Sequence, residues 1–413
     1  MNDFSEIRSE KLQEAHNFKT LHVTPFFPPD KGGIANFVSD LCQSLGKQGN
    51  NITIIAPKRI NSKIPLAYDS SKNIIRINCI FLPGWPYPTL RSVSIPIDLG
   101  LKLDSLIRKG HFDIVHVHGH HYPISWLAIN SAYKYGIPIV LSMHGMYALN
   151  PKIMGGKTVI EEWLNKHVFT KILAKTDAII GGTTQVTDYA KELGKQSNKY
   201  FTIPAGVDTH VYKENIMKKC EYRIKYNLNP DSIVILFIGR FEHVKGIIEF
   251  ANAAKKIIKC KSKKVEVVLV GEGSLYYYVQ SILHNIDGVH LLKWQPYNSI
   301  HELYIAADIF IIPSRFEALP LTLIEAMNAG LHIVYTPVGG VPDILQGYFP
   351  KTMLTATSIE EIQRTMITLL EDYSPLQEMS KSFDYAQKFD WNNIASNVNK
   401  LYAVIKNRKR TKI

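Results

Sequence analysis

Short, fully apolar runs alternate along this chain with longer stretches in which apolar residues return every three or four positions. Ile233 to Ile238 is apolar throughout and stops at Gly239, after which Ile247 to Lys259 keeps a helical period. A run of the first kind reads as a strand buried on both faces, and a stretch of the second kind as a helix with one face in a core. The same reading places strands at Thr20–Thr24, Asn51–Ala56, Ile74–Ile80, Ile114–His118, Ile137–Met143, Ala178–Gly181 and Tyr200–Ile203. Further along, strands are expected at Val265–Val270, Val289–Leu292, Asp308–Ile312 and His332–Thr336. Helical patterns such as Ile34–Lys47 and Trp163–Lys175 separate them. Regular alternation of this kind predicts the α/β class, with two doubly wound parallel sheets.

A chain of 413 residues, 46% of them hydrophobic, is long enough for two cores. The boundary is expected near Gly206 to Glu214, which gives domains at 1–205 and 206–390. Cys42, Cys79, Cys220 and Cys260 are scattered without a Cys-x-x-Cys pair, so neither a zinc site nor a disulfide framework is expected. Met1 to Lys19 is polar and mixed in charge, and no uncharged apolar run reaches the length of a spanning helix. A cytoplasmic location, with no signal peptide, is the expectation. Residues 1–205 carry 23 Lys and Arg against 15 Asp and Glu, residues 206–395 carry 19 against 21, and residues 396–413 add 6 cations, giving the net +12. The acidic second domain and the lack of an interleaved basic-aromatic module argue against nucleic-acid binding.

Candidate chemistry clusters at strand ends. Asp308 to Pro313 reads as a strand, and Leu321 to Ala329 as a helix with Pro320 at its start and Gly330 after it. Glu317 therefore falls on the loop and Glu325 inside the helix. Residues three and four positions from Glu325 include no cation, so no local ion pair accounts for it. Ser314 and Glu317 also fit a capping box, and Glu325 a wet helix face. Backbone N–H groups of Ala318, Leu319, Pro320's successor Leu321 and their neighbours would open a helix N-terminus suited to phosphate. Two hydroxyl-binding carboxylates around an anion seat suggest a sugar nucleotide. Gly239, Arg240 and Lys245 follow the apolar strand Ile233–Ile238, delivering a planar fork and a point charge suited to a diphosphate. His144 ends another apolar strand, and His116, His118, His120 and His121 cluster nearby in sequence with Asp113 the only close acid, which gives a metal little support. No Gly-x-Gly-x-x-Gly follows the first strand, so a nicotinamide cofactor is not expected; Gly32 and Gly33 sit instead at a turn into a helix.

Several segments, in order, resemble the retaining glycosyltransferases of the GT-B fold, family 4 (group 1) type. They are Pro28 to Gly33, Phe112 to Gly119, Ile137 to Gly145, Ile203 to Asp208, Gly239-Arg240 with Lys245-Gly246, Val270 to Gly273, Ala307-Asp308, the Glu317-x7-Glu325 segment and Val338 to Asp343. The resemblance implies two Rossmann-like domains facing across a cleft, with 391–413 returning to the first. It implies transfer of a hexosyl unit from a nucleotide sugar (UDP-, GDP- or ADP-linked) to a glycan or lipid-linked acceptor, with retained configuration and no metal or other cofactor. Arg240 and Lys245 would stabilise the leaving diphosphate, Glu317 would hold donor-sugar hydroxyls, Glu325 the ribose, His144 the sugar, and Gly32-Gly33 would approach the diphosphate. Ala318 stands where the family usually has glycine and Ala205 where asparagine is common, which leaves a non-catalytic sugar-nucleotide sensor as the alternative. The basic first domain, with Trp163, Leu164, Val168, Phe169, Ile172 and Leu173 among lysines, also reads as a contact with anionic membrane, against an ordinary surface helix with its apolar stripe in the core.

Overall fold

The computed structural model describes residues 17–30, 32–59, 73–82, 93–98, 100–145, 163–194, 199–259, 263–296, 298–318, 320–373 and 385–410. The chain divides into two compact units, Met1–Gly206 with Trp391–Ile413, and Val207–Asp390. Each is built on one sheet.

In the first unit the strands are β1 (Lys19–Val23), β2 (Asn51–Arg59), β3 (Asn73–Leu82), β4 (Val93–Pro96), β5 (Ile114–His118), β6 (Ile139–Met143), β7 (Ala178–Gly181) and β8 (Tyr200–Thr202). Their order is β4-β3-β2-β1-β5-β6-β7-β8. All neighbours are parallel except β3 and β4, so this sheet is not purely parallel. Val93–Pro96 is a four-residue edge strand with a polar Ser94 and a terminal proline, too short to leave an apolar run in the sequence. The closing helix Trp391–Arg410 belongs to this unit and packs on helix Gly33–Lys47: Gln48 donates to the Asn392 carbonyl at 2.8 Å, and the Phe37 and Trp391 rings meet at 5.4 Å. The segment from Trp163 opens as a π-helix over Asn165–Phe169 before becoming α-helical at Thr170–Ala174. Phe169, Ile172 and Leu173 are buried in the unit's core, which favours the ordinary surface helix over a membrane face. Trp163 is exposed. No helix among the described residues is long and apolar enough to cross a membrane.

The second unit has β9 (Ile233–Ile238), β10 (Val265–Val270), β11 (Val289–Leu292), β12 (Ile309–Ile312), β13 (His332–Tyr335) and β14 (Lys351–Met353), all parallel, in the order β11-β10-β9-β12-β13-β14. β14 escapes a sequence reading because it is three residues long, polar in two of them, and lies at an edge. Ile235, Phe237, Phe250, Leu269, Ile311 and Val334 fill the core between sheet and helices. Strand order reverses in each sheet, between β1 and β5 in one and between β9 and β12 in the other. In open α/β sheets the carboxyl ends of the strands flanking such a reversal are where ligands bind.

The β9–β12 junction is fixed by Asp308, immediately before β12. Its carboxylate accepts from Arg223 at 2.5 Å, Lys219 at 2.6 Å and the backbone of Val234 at 2.7 Å. Asp308 and Arg223 are both buried. Asp308→Ala would leave the Arg223 guanidinium buried without its counter-charge, and breaking such a pair costs about 3–5 kcal/mol. Urea denaturation should register that loss, while Asp308→Asn, which keeps an acceptor, should lose less.

Candidate functional site

The second unit brings its predicted residues together at the reversal between β9 and β12. Lys245 lies in a short 3₁₀ turn, His243–Lys245, on the loop leaving β9, and Glu317 lies on the loop leaving β12. Their side chains meet, Lys245 Nζ to Glu317 Oε1, at 2.6 Å, and Ser314 Oγ donates to the same oxygen at 2.7 Å. Glu317 is 5% exposed. Helix Leu321–Asn328 is capped by Pro320, so Ser314 and Glu317 are a hydrogen-bonded pair in the loop and not a capping box on that helix. Glu325 is half-buried within the helix, and Tyr304 donates to its Oε2 at 2.7 Å. The partner that local spacing did not supply is thus a tyrosine from helix Ile300–Ala306. Gly239 continues β9 through a bond to the Val270 carbonyl at 3.1 Å, and Arg240 beside it is exposed. Ala318 is half-buried before the helix and Leu321 is its first residue. Leu319 lies outside the described residues.

Three loops interlock around the Lys245–Glu317 pair, and two glycines permit it. Gly246 has φ +65°, and a Cβ there would sit 2.1 Å from the Pro313 carbonyl oxygen. Gly339, after β13, has φ +57°, and a Cβ there would lie 1.6 Å from the Glu317 carbonyl oxygen, which accepts from Gly340 N at 3.2 Å. Gly339→Ala must therefore move the Glu317 backbone as well as adopt a left-handed conformation, at a cost of about 1–3 kcal/mol. The expected result is a lower urea midpoint together with weaker activity; an unchanged midpoint would contradict the packing described. Neither glycine's role is visible in sequence, because each depends on a carbonyl far along the chain.

In the first unit the carboxyl ends of β1, β5 and β6 converge on a layer of histidines. His22 of β1 stands opposite His116 of β5, and His116 and His118 share one face two residues apart. His22 Nδ1 lies 3.1 Å from His118 Nε2, and His118 Nδ1 lies 3.2 Å from His144 Nε2. His116 is held between the Tyr402 hydroxyl at 2.6 Å and Ser142 Oγ at 2.8 Å. Phe37, on the helix that starts at Gly33 after the Gly32 turn, meets the His144 ring at 4.7 Å. Gly32 itself has φ +139°, a conformation essentially reserved for glycine. Burial keeps these imidazoles neutral, holding His22 down to about 3 and His144 down to about 4, with His116 and His118 well below the ordinary histidine value. His22 and Tyr402 were not marked by any sequence motif; only the pairing of β1 with β5 and the return of the last helix bring them in.

His22, His116 and His118 also satisfy the spacing of a three-ligand metal group, their ligand atoms within 4.8 Å of one another, so the grouping differs from the run His116 to His121. Every ring nitrogen of the three except His22 Nε2 already has a hydrogen-bond partner, which a metal would have to displace.

Residues 31–211 match the model of "Glycosyltransferase Family 4" and residues 218–388 that of "Glycosyl transferases group 1". A D-inositol 3-phosphate glycosyltransferase of Segniliparus rotundus is 23% identical over 90% of this chain and 85% of its own length. The UDP-Gal:alpha-D-GlcNAc-diphosphoundecaprenol alpha-1,3-galactosyltransferase of Escherichia coli is 28% identical over 71% of this chain and 76% of its own. Among solved structures, HepE of Anabaena in complex with UDP superposes with a TM-score of 0.70 at 16% identity, covering 94% of this chain and all of that one. Two Rossmann-like α/β units, a charged pair at a strand-order reversal, and family models that between them span most of the sequence make this chain a glycosyltransferase of the group 1, family 4 type, with the GT-B fold.

Proposed function

We propose that the protein transfers a hexosyl unit from a nucleotide sugar to a glycan or lipid-linked acceptor, with retention of anomeric configuration. The observation that carries this reading is the Lys245–Glu317 pair at the carboxyl ends of β9 and β12. Lys245, with Arg240 two strand-end positions after Ile238, supplies the positive charge that a departing diphosphate needs, and preorganised charge of this kind is usually the largest catalytic contribution. Lys245 has three N–H donors, so it can keep Glu317 and still meet a phosphoryl oxygen. Glu317, anchored through one oxygen, offers its other to a sugar hydroxyl, and Glu325 is assigned to the ribose. His144 and the Gly32-Gly33 turn are assigned to the same donor by resemblance.

Glu317 is poorly suited to attack the sugar, because its oxygen is engaged by both Lys245 and Ser314. A front-face course is therefore favoured, in which the sugar–phosphate bond breaks, the acceptor oxygen bonds to the anomeric carbon from the same side, and the leaving diphosphate takes the acceptor's proton. No metal or other cofactor enters this scheme. HepE is described with UDP-glucose, and the Escherichia coli relative as acting with UDP-Gal on a diphosphoundecaprenol-linked sugar; both support a UDP-linked donor, and the second a lipid-linked acceptor. A cytoplasmic protein attracted to an anionic membrane face through its basic first domain fits such an acceptor. Co-sedimentation with anionic vesicles at low salt tests that part, and no binding would remove it.

Thermal shifts with UDP, GDP and ADP sugars test the donor: a ligand at 100 times its dissociation constant adds about 2.7 kcal/mol. Slow donor hydrolysis then separates a transferase from a sensor, which would bind without turnover. A product whose anomeric configuration is inverted would overturn retention.

A further inference from the structure

The bonds from His22 to His118 to His144 do more than pack three rings. A neutral imidazole has one N–H and one bare nitrogen, so each ring in a chain of this kind must donate at one end and accept at the other. The contacts join Nδ1 of His22 to Nε2 of His118, and Nδ1 of His118 to Nε2 of His144. Only two protonation patterns satisfy both contacts: all three rings carry the proton on Nδ1, or all three carry it on Nε2. The tautomers are locked to one another.

The far end of the chain decides between them. His22 Nε2 is buried and has no hydrogen-bond partner. In the second pattern that atom would be an N–H donor sealed in the core with nothing to receive it; in the first it is a bare nitrogen. Buried orphan N–H groups are the rarer of the two kinds of defect. From this we infer that His22 and His118 are positioning residues that fix His144 in its Nδ1–H tautomer, so that His144 offers a ligand a hydrogen-bond donor and refuses one that must itself donate.

The rings are placed for this by the sheet. β1 and β5 are adjacent and in register, β5 and β6 likewise, and the stacked rings of His118 and His144 lie 5.4 Å apart at 18° between planes. Burial of His22 and His118 removes the water that would otherwise let each ring choose its tautomer independently. The use made of the His144 proton rests on the donor-sugar reading above: a sugar hydroxyl oxygen would accept from it. The tautomer itself does not rest on that reading.

The test is a long-range proton–nitrogen correlation spectrum of the full chain labelled with nitrogen-15 histidine, recorded near pH 7.5 without donor. Nδ1-protonated signatures for His22, His118 and His144 are expected. An Nε2-protonated signature at any one of them, a doubly protonated ring, or the signature of a metal-bound nitrogen would overturn the inference. His22→Asn, whose amide nitrogen takes the place of Nδ1 as donor, should preserve the His144 pattern, and His22→Leu should lose it to a mixture of tautomers. A purely structural role for His22 would leave His144 in the same tautomer in both. If His22→Leu fails to fold, the spectra of the unaltered chain and of His22→Asn decide alone. Loss of transfer in His144→Ala, measured separately, bears on the donor reading and not on the tautomer.

Discussion

Lys245→Met should lower transfer by about 10²–10³-fold, the loss seen when one preorganised donor to developing charge is removed. It should also destabilise the fold, because Glu317 would remain buried, held by the Ser314 hydroxyl but without the Lys245 counter-charge. Breaking one side of a buried pair costs about 3 kcal/mol or more. The two effects separate in a second variant. Adding Glu317→Gln to Lys245→Met removes the uncompensated charge, so the urea midpoint should recover while transfer stays low. A folded Lys245→Met variant that kept the full rate would remove Lys245 from the site, and recovery of both quantities together would mean that the pair is structural only.

Mild acid should destabilise the protein steeply. His22, His121 and His144 are held by burial at about 3, about 3 and about 4, below the ordinary value near 6.5. The folded state keeps these rings neutral where the unfolded chain takes up protons, so the unfolded state binds more protons throughout the window between those values and 6.5. Stability is therefore fully present above pH 6.5 or so and falls as the pH drops below it. Each ring loses about 1.4 kcal/mol per pH unit there, so the three together lose about 4 kcal/mol per unit. His116, His118 and His120, shifted the same way by burial, steepen the fall. Urea midpoints at pH 7.5, 6.5 and 5.5 measure it. Equal midpoints at all three would mean that water reaches these rings in the folded state.

Much of the fold is legible in the sequence because long parallel strands buried on both faces have to be apolar: Ile233–Ile238 and Val265–Val270 have the same bounds in the structure as in the sequence reading. β4 and β14 are not legible for the opposite reason, since a short edge strand needs no apolar run. The site divides along a similar line. Lys245 and Glu317 stand at ends of apolar strands, where position along the chain already points to the sheet's carboxyl edge. Tyr304 beside Glu325, Gly339 beneath Glu317 and His22 beside His118 are set by contacts between distant segments, which no local period records. Trp163 to Lys175 admitted two readings in the sequence because an amphipathic stripe looks the same whether it faces lipid or a core; Phe169, Ile172 and Leu173 face the core, while Trp163 stays exposed.

The helix Trp391–Arg410 belongs to a unit that, outside the segment Trp391–Ile413, lies wholly before Val207. On a ribosome, the first 206 residues emerge long before Tyr402 can reach His116 or Trp391 can cover Gly206, where even a Cβ would lie 2.5 Å from the indole. The histidine layer therefore waits, unroofed, while the whole second unit is made, and the order of synthesis is not the order in which the molecule closes.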